Sequence, residues 1–148
     1  MALRIGSFLF ALALLFLWSN PRDVFALSIL GPRGIEFAVN RPAVGDDLEV
    51  SMSTRQQLST LHELIDTLHR FPEVHIQVNG FADSGEHSNA GALSERRAKL
   101  VYNWLLSHGV RPSQLKGYKG FGSSQPIDDS NNETQRQHNR RVEFQVDE

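Results

Sequence analysis

The spacing of apolar residues constrains this chain most, because it changes between the period of a β-strand and that of an α-helix. Residues 74–78 alternate strictly between apolar and polar side chains, as in a half-buried strand. Residues 90–108 then place apolar side chains at three- and four-residue steps, which predicts an amphipathic helix that ends at Gly109. An apolar stretch at residues 115–118 completes a strand–helix–strand unit, which is a right-handed crossover if its strands are parallel neighbours.

The same two patterns flank this unit on both sides. Residues 35–39 alternate as a first strand, and residues 54–71 carry a leucine-rich stripe that predicts a helix capped by Ser53 or Thr54. A long polar stretch follows the central unit, and residues 141–146 then alternate as a last strand. The order predicts an α+β fold of βαβαβ…β type, in which two main helices pack on one face of a small mixed sheet of four strands.

The first 26 residues have the features of an export signal. An apolar run of 11 residues, Phe8–Trp18, follows a single positive charge at Arg4 and is too short to cross a bilayer, which takes about 20 residues. Small residues near Ala26 predict cleavage after that position, and an uncleaved membrane anchor is the alternative. We therefore expect Met1–Ala26 to be a signal peptide and residues 27–148 to form one exported domain.

Charge and cysteine content exclude several classes of function. The formal net charge is −2 and the isoelectric point is near 6.3, so the chain has no general electrostatic attraction to nucleic acid. The sequence contains no cysteine, which excludes disulfides, thiolate metal sites and a lipid-modified N-terminal cysteine. Together with the export signal, this predicts an exported protein that is not a lipoprotein.

Catalytic and metal-binding patterns are not visible in the sequence. It contains neither a G-x-S-x-G nucleophile elbow nor an H-E-x-x-H zinc motif. Its histidines have no third ligand at metal-binding spacing and are interpreted as solvated surface residues: His62, His69, His75, His87, His108 and His138. We therefore expect no enzymatic activity, no metal and no cofactor.

One arginine interrupts the apolar stripe of the second main helix. Arg97 follows Leu93 by four residues and precedes Val101 by four, so its side chain starts toward the core. A buried guanidinium must be paired, because an isolated buried charge costs several kcal/mol. The nearest acidic candidate at the sheet end of the preceding loop is Asp83, just after the second strand, where open α/β sheets place ligand-binding groups. The residues alone leave two interpretations open, a private Asp83–Arg97 salt bridge and a ligand site.

Four motifs, in order, resemble those of OmpA-like C-terminal domains. They are Gly80–Asp83 (GFAD), Leu93–Ala98 (LSERRA), Gly117–Pro126 (GYKGFGSSQP) and Asn139–Glu143 (NRRVE). The resemblance extends from about Ile35 to Val146, nearly the whole exported part. It implies non-covalent attachment to peptidoglycan through the diaminopimelate of the stem peptide, which tethers the protein to the cell wall or senses it. It also implies a periplasmic location, in association with the cell wall or outer membrane.

The resemblance also implies roles for individual residues. Asp83 matches the aspartate that holds the diaminopimelate ammonium, and Arg97 matches the arginine that holds its carboxylate. Lysine-type stem peptides lack that carboxylate, so such a pair discriminates between the two wall chemistries. Asn40 corresponds to a polar residue lining the pocket, and Asn139 either orients the loops or contacts ligand. Asn89, preferred over Ala90, corresponds to an asparagine at the start of the helix, where it is otherwise a helix cap.

The sequence departs from the family's GHTD motif at two positions. Phe81 replaces the histidine and Ala82 replaces the threonine, whose hydroxyl contributes on the order of 1 kcal/mol to ligand affinity. The spacing from Asp83 to Arg97 is also one residue shorter than the family pattern. These differences keep open the alternative of a protein-interaction module in a secretion, motor or envelope complex, with weak or no peptidoglycan binding.

Overall fold

The computed structural model describes residues 34–86 and 89–147. The predicted signal peptide, Met1–Ala26, lies outside the described residues, as does the start of the predicted exported domain. In the part of the chain that is described, no helix is both long and apolar enough to cross a membrane.

A four-stranded sheet with helices forms the fold. The elements in chain order are β1 (Ile35–Glu36), α1 (Leu48–Ser51), α2 (Gln57–Arg70), β2 (His75–Gly80), α3 (Ala90–Ser107), β3 (Leu115–Gly120), α4 (Glu133–Asn139) and β4 (Arg141–Asp147). The strand order is β1-β4-β2-β3, with β2 parallel to β3 and β4 antiparallel to both of its neighbours. The predicted mixed sheet of four strands is confirmed, and β2–α3–β3 is the expected parallel unit.

The core is built from the apolar faces that the periodicity identified. The side chains of Ile76 and Val78 are fully buried on one face of the sheet. They share one buried cluster with residues of both main helices, namely Leu61, Leu64, Ile65 and Leu68 of α2 and Ala98, Val101 and Leu105 of α3. Burial of these apolar side chains is the main source of stability in a domain of this size.

Helix α2 begins later than its sequence pattern predicts. The predicted cap at Ser53 or Thr54 is wrong, because the residue preceding the helix is Gln56, whose side chain makes no capping hydrogen bond. The Ser53 N–H donates instead to the carbonyl of Glu36, 3.0 Å away, so the chain at this point still follows β1. A turn at residues 54–56 then leads into the helix.

Two short helices lie in segments that were not predicted to be helical. Helix α1 is capped by Asp47, whose side chain accepts a hydrogen bond from the Val50 N–H at 3.0 Å. Helix α4 lies in the polar stretch before the last strand and is capped by Asn132. Both depend on N-cap side chains and not on an apolar stripe, so hydrophobic periodicity does not reveal them.

Two glycines allow α3 to lie directly against the ends of β2 and β3. A Cβ atom on Gly80 would lie 2.0 Å from the carbonyl oxygen of Ser94, and one on Gly120 would lie 2.5 Å from the backbone nitrogen of Glu95. Only glycine permits this approach of backbone to backbone. It brings the N-terminal half of α3, including Arg97, to the end of β2. At the other end of α3, Gly109 has φ +92°, which confirms the predicted cap.

We predict that Gly80→Ala lowers the free energy of unfolding by about 1–3 kcal/mol, because the added methyl overlaps the Ser94 carbonyl and α3 must move. Gly91→Ala is the matched control, in the exposed first turn of the same helix. Its change should stay within about 1 kcal/mol, because the helix propensity of alanine is offset by a contact of the added methyl with the Asn89 side-chain oxygen at 3.3 Å. Urea unfolding measures both, and equal stability of Gly80→Ala and the wild type would contradict the packing described here.

Candidate functional site

Arg97 is fully buried and uses every hydrogen-bond donor of its guanidinium. Its Nε donates to the carbonyl of Arg41 at 2.8 Å, and its Nη atoms donate to the carbonyls of Phe81 at 3.0 Å and Ala38 at 3.4 Å. The remaining two N–H groups donate to a carboxylate, that of Glu86, in a bidentate pair at 2.8 and 2.6 Å. A guanidinium has five N–H donors, so none remains for a further ligand in this arrangement.

Glu86 is as fully engaged as the arginine it pairs with. Its side chain is 1% exposed, and each carboxylate oxygen accepts two hydrogen bonds. Oε1 accepts from Arg97 and from the backbone N–H of Asn40 at 2.7 Å, while Oε2 accepts from Arg97 and from the backbone N–H of Asp83 at 3.1 Å. Glu86 therefore joins α3 to the loop after β1 and to the turn after β2.

The structure corrects the expected partner of Arg97. A direct Asp83–Arg97 salt bridge is not formed, because a turn from Asp83 to Glu86 brings the longer side chain of Glu86 to the guanidinium. The Asp83 carboxylate is used elsewhere. It accepts from the Gly85 N–H at 2.9 Å and from the Ser130 hydroxyl at 2.6 Å. Asp83 and Arg97 thus belong to one buried network and are linked through Glu86.

Burial lowers the pKa of the Arg97 guanidinium, and the hydrogen bonds and charge of Glu86 oppose that shift. At neutral pH the arginine is charged in any case, so the network requires the negative charge of Glu86. At the surface nearby, hydrogen bonds from Arg140 and Arg136 lower the pKa of Glu133.

A half-open cleft of about 320 Å³ lies next to Asp83. Its lining residues are Ala82, Ser84, Ser123, Pro126, Ile127, Asp128, Asp129, Ser130 and Asn139. Asp83 itself is 1% exposed and is not part of the lining, but both of its chain neighbours are, and so is Ser130, whose hydroxyl donates to the Asp83 carboxylate. The cleft is therefore adjacent to the Asp83 carboxylate through Ser130.

Asn139 orients the loop that forms one wall of the cleft. Its side-chain oxygen accepts from the backbone N–H groups of Ile127 and Asp128 at 2.8 and 3.1 Å. Its amide nitrogen donates to the carbonyl of Asp128 at 2.9 Å and to the hydroxyl of Ser130 at 2.8 Å. All four hydrogen-bonding positions of this side chain are used within the protein. Of the two roles expected for Asn139, orienting the loops and contacting ligand, the structure therefore supports the first.

The other two predicted asparagines lie at the ends of connecting segments. Asn89 caps α3 by accepting from the Ala92 N–H at 3.2 Å, and its side chain is exposed. Asn40 contributes its backbone N–H to the Glu86 carboxylate. Its φ of +57° lies in the left-handed region that asparagine tolerates better than most residues.

Backbone strain among the described residues coincides with this network. The non-glycine residues with positive φ are Asn40 and Ser130, at +57° and +60°. One is bonded to Glu86 and the other to Asp83. Residues with strained backbone that are hydrogen-bonded to buried carboxylates are typical of a functional site.

His138 does not lie on the surface as predicted. It is 9% exposed and its ring pairs with the carboxylate of Asp128, so the expectation of a solvated histidine is wrong at this position. His87 lies outside the described residues. Within residues 34–86 and 89–147, no group of three or more potential metal ligands is brought together.

Sequence comparison identifies the class of domain that carries this network. The sequence profile of the OmpA family matches residues 46–140. The chain belongs to the OmpA family. Outer membrane porin F of Pseudomonas fluorescens is 33% identical over 102 residues, which are 68% of this chain and 31% of porin F. Peptidoglycan-binding protein ArfA of Mycobacterium tuberculosis is 33% identical over 87 residues, 58% of this chain and 26% of ArfA.

Solved structures of OmpA-family domains share the fold. The peptidoglycan-associated lipoprotein of Burkholderia pseudomallei superposes with a TM-score of 0.64 at 23% identity and covers 78% of this chain and 90% of its own. The C-terminal domain of Helicobacter pylori MotB gives 0.58 at 28% identity, over 64% of this chain and 74% of its own. The chain spans about a third or less of the length of the porin F and ArfA relatives.

The two departures from the OmpA-family motif have structural consequences. Phe81 is 3% exposed and packs between aromatic and cationic neighbours, with its ring centroid 5.3 Å from that of Phe121 and 4.0 Å from the Arg141 guanidinium carbon. Ala82 lines the cleft and is 4% exposed. The motif therefore retains its carboxylate at Asp83, whereas the preceding two side chains offer no hydrogen-bonding group to a ligand.

Sequence reasoning missed Glu86 and Ser130. Glu86 lies only three residues after Asp83, within a connection to Arg97 that is one residue shorter than the family pattern. That shortening was the available signal, because it marks the segment that contains Glu86 as different from the family pattern. Ser130 gave no such signal, since it lies in a polar loop whose path is set by Asn139.

We predict that Arg97→Met lowers the free energy of unfolding by about 3–5 kcal/mol, because it leaves the carboxylate of Glu86 buried without a counter-charge. Adding Glu86→Gln to this variant should recover part of the loss, since a neutral amide is less costly to bury. Arg96→Met is the matched control on the same helix and should cost less than about 1 kcal/mol. A loss as small as that of the control would contradict the described network; urea unfolding measures all three variants.

Proposed function

We propose that this domain binds peptidoglycan non-covalently through the diaminopimelate of the stem peptide, and so tethers its protein to the cell wall or senses it. The observation that carries the proposal is the buried carboxylate of Asp83, which follows β2 and accepts a hydrogen bond from Ser130, one of the residues that line the half-open cleft. Membership of the OmpA family supports it, as does 33% identity to a relative named for peptidoglycan binding.

The Asp83 carboxylate is suited to an ammonium group. An ammonium that enters the cleft replaces the neutral Ser130 hydroxyl with a charged donor, and hydrogen bonds between charged groups are about twice as strong as neutral ones. Arg97 and Glu86 support this group from below, because Glu86 holds the backbone N–H of Asp83. Asn139 and Asn40 fix the loops on either side, and Asn89 fixes the start of α3.

The proposal places the protein in the bacterial envelope, exported by residues 1–26 and associated with the wall or outer membrane. The proposal includes no lipid anchor, because this sequence contains no cysteine to carry a lipid, although some relatives are named as lipoproteins. The proposed role is binding without catalysis.

A second candidate function is docking to an envelope protein with little or no peptidoglycan binding. The occupation of Arg97 by Glu86 favours it, because the arginine expected to hold the diaminopimelate carboxylate has no remaining donor. The similarity to MotB, 28% identical over 64% of this chain, also fits this candidate.

Sedimentation with diaminopimelate-type sacculi tests the proposal, using protein expressed from the full sequence and purified after export. We expect the wild type to sediment and Asp83→Asn to bind at least about 10-fold more weakly, because a hydrogen bond to a charged group contributes about 1.5–3 kcal/mol. Asp66→Asn, an exposed aspartate of α2 outside the site, is the matched control and should bind like the wild type. Thermal unfolding checks that all three proteins are folded.

Three outcomes would count against this proposal. Wild-type protein that stays in the supernatant would favour the docking function. Unchanged binding by Asp83→Asn would remove Asp83 from the site. Release of soluble muropeptides during the incubation would show that the domain is an enzyme.

A further inference from the structure

We infer that Glu86 determines the specificity of this site: it permanently supplies the carboxylate that Arg97 binds, so the domain recognises the ammonium of the stem-peptide side chain and not the carboxylate beside it. The inference rests on the proposed peptidoglycan binding and deepens it. It reverses the discrimination that the resemblance implied, because a site that reads only the ammonium does not distinguish diaminopimelate from lysine.

Arg97 has no donor available to a ligand. Arg97 is 0% exposed and all five of its donors are used, two of them by Glu86. The cleft is lined by residues of the turn after β2 and of the loop before α4, and Arg97 is not part of that lining. While Glu86 is in place, a ligand carboxylate in the cleft therefore meets no free donor of the guanidinium.

The carboxylate of Glu86 is difficult to displace from Arg97. Removing its carboxylate from Arg97 also leaves the backbone N–H groups of Asn40 and Asp83 without their acceptor. Buried donors left without partners cost about 1–3 kcal/mol each. A ligand carboxylate that replaced Glu86 would have to restore four hydrogen bonds at once, from a position with only 1% side-chain exposure.

The cleft offers no cation to a ligand carboxylate. The described residues that line it include Asp129 and Asp128, whose carboxylate pairs with His138, but neither lysine nor arginine. Arg136, which lies beside Gly85, is held by the carboxylate of Glu133 at 3.1 Å and by the carbonyl of Ser130 at 3.2 Å. An ammonium is attracted to this surface, whereas a carboxylate beside it meets no cationic side chain among the described lining residues.

The occupation of Arg97 by Glu86 affects which stem peptides the site distinguishes. Diaminopimelate, diaminopimelate with an amidated side-chain carboxylate, and lysine all present a terminal ammonium on the same stem position. Only the first adds a free carboxylate next to it. Because Arg97 is already neutralised by Glu86, we expect the three stem peptides to bind with similar affinity.

The experiment compares three soluble stem peptides that differ only at this residue, by calorimetric titration of the wild-type protein produced from the full sequence. We expect dissociation constants within about three-fold of one another. A preference of 10-fold or more for the free diaminopimelate carboxylate would overturn the inference, since it would show that the ligand displaces Glu86 or finds another cation. This measurement decides the question without any variant.

Glu86→Ala provides a second test, because it removes the internal carboxylate and leaves a cavity next to Arg97. We expect this variant to prefer the free-carboxylate peptide over the amidated one by at least 10-fold. Acetate should raise its melting temperature, whereas acetamide should not, since only a carboxylate restores the ion pair. Glu95→Ala, at an exposed position of α3, is the matched control and should keep the wild-type pattern in both measurements.

The outcomes separate this inference from the proposed function. If no stem peptide binds and the protein does not sediment with sacculi, the proposed function fails. If the protein binds sacculi but strongly prefers the free carboxylate, the proposed function stands and the inference about Glu86 fails. If Glu86→Ala shows neither the new preference nor rescue by acetate, Arg97 is not a carboxylate receptor and the inference fails as well.

Discussion

The buried ion pair between Arg97 and Glu86 holds together the part of this domain on which its site depends. It joins helix α3 to the turn after β2 and, through the carbonyls of Ala38 and Arg41, to the loop after β1. These segments are far apart in sequence. Polar networks of this kind fix a conformation only when every member is paired, a condition that Arg97 and Glu86 satisfy.

The fold was predictable from the sequence because its main signals are local. Alternation at residues 74–78 and the stripe at residues 90–108 each reflect one element with one buried face. Helices α1 and α4 were not predictable in the same way, because a capping side chain starts each of them and neither is long enough to show a stripe. Burial of His138 depends on the path of the loop before α4, which the sequence pattern does not specify.

The site was predictable in position but not in its pairing. Topology places Asp83 where β2 ends, and helical spacing places Arg97 on the inner side of α3, so both residues belong to one network. Which carboxylate meets the arginine depends on the turn between them. The turn directs Asp83 toward Ser130 and Glu86 toward Arg97, and this choice rests on single hydrogen bonds such as the one from Gly85.

The pairing of Arg97 with Glu86 stabilises the unliganded domain but reduces the selectivity of the proposed site. An arginine buried at this position without a carboxylate would carry an uncompensated charge whenever ligand is absent, at a cost of several kcal/mol. Glu86 removes that cost permanently, so the fold does not depend on ligand. In the proposed peptidoglycan binding, the same carboxylate takes the place that a ligand carboxylate would occupy, so the binding energy would come from the ammonium at Asp83. A site that is stable without ligand in this way recognises fewer features of the ligand, because the carboxylate of Glu86 already occupies the position of a ligand carboxylate.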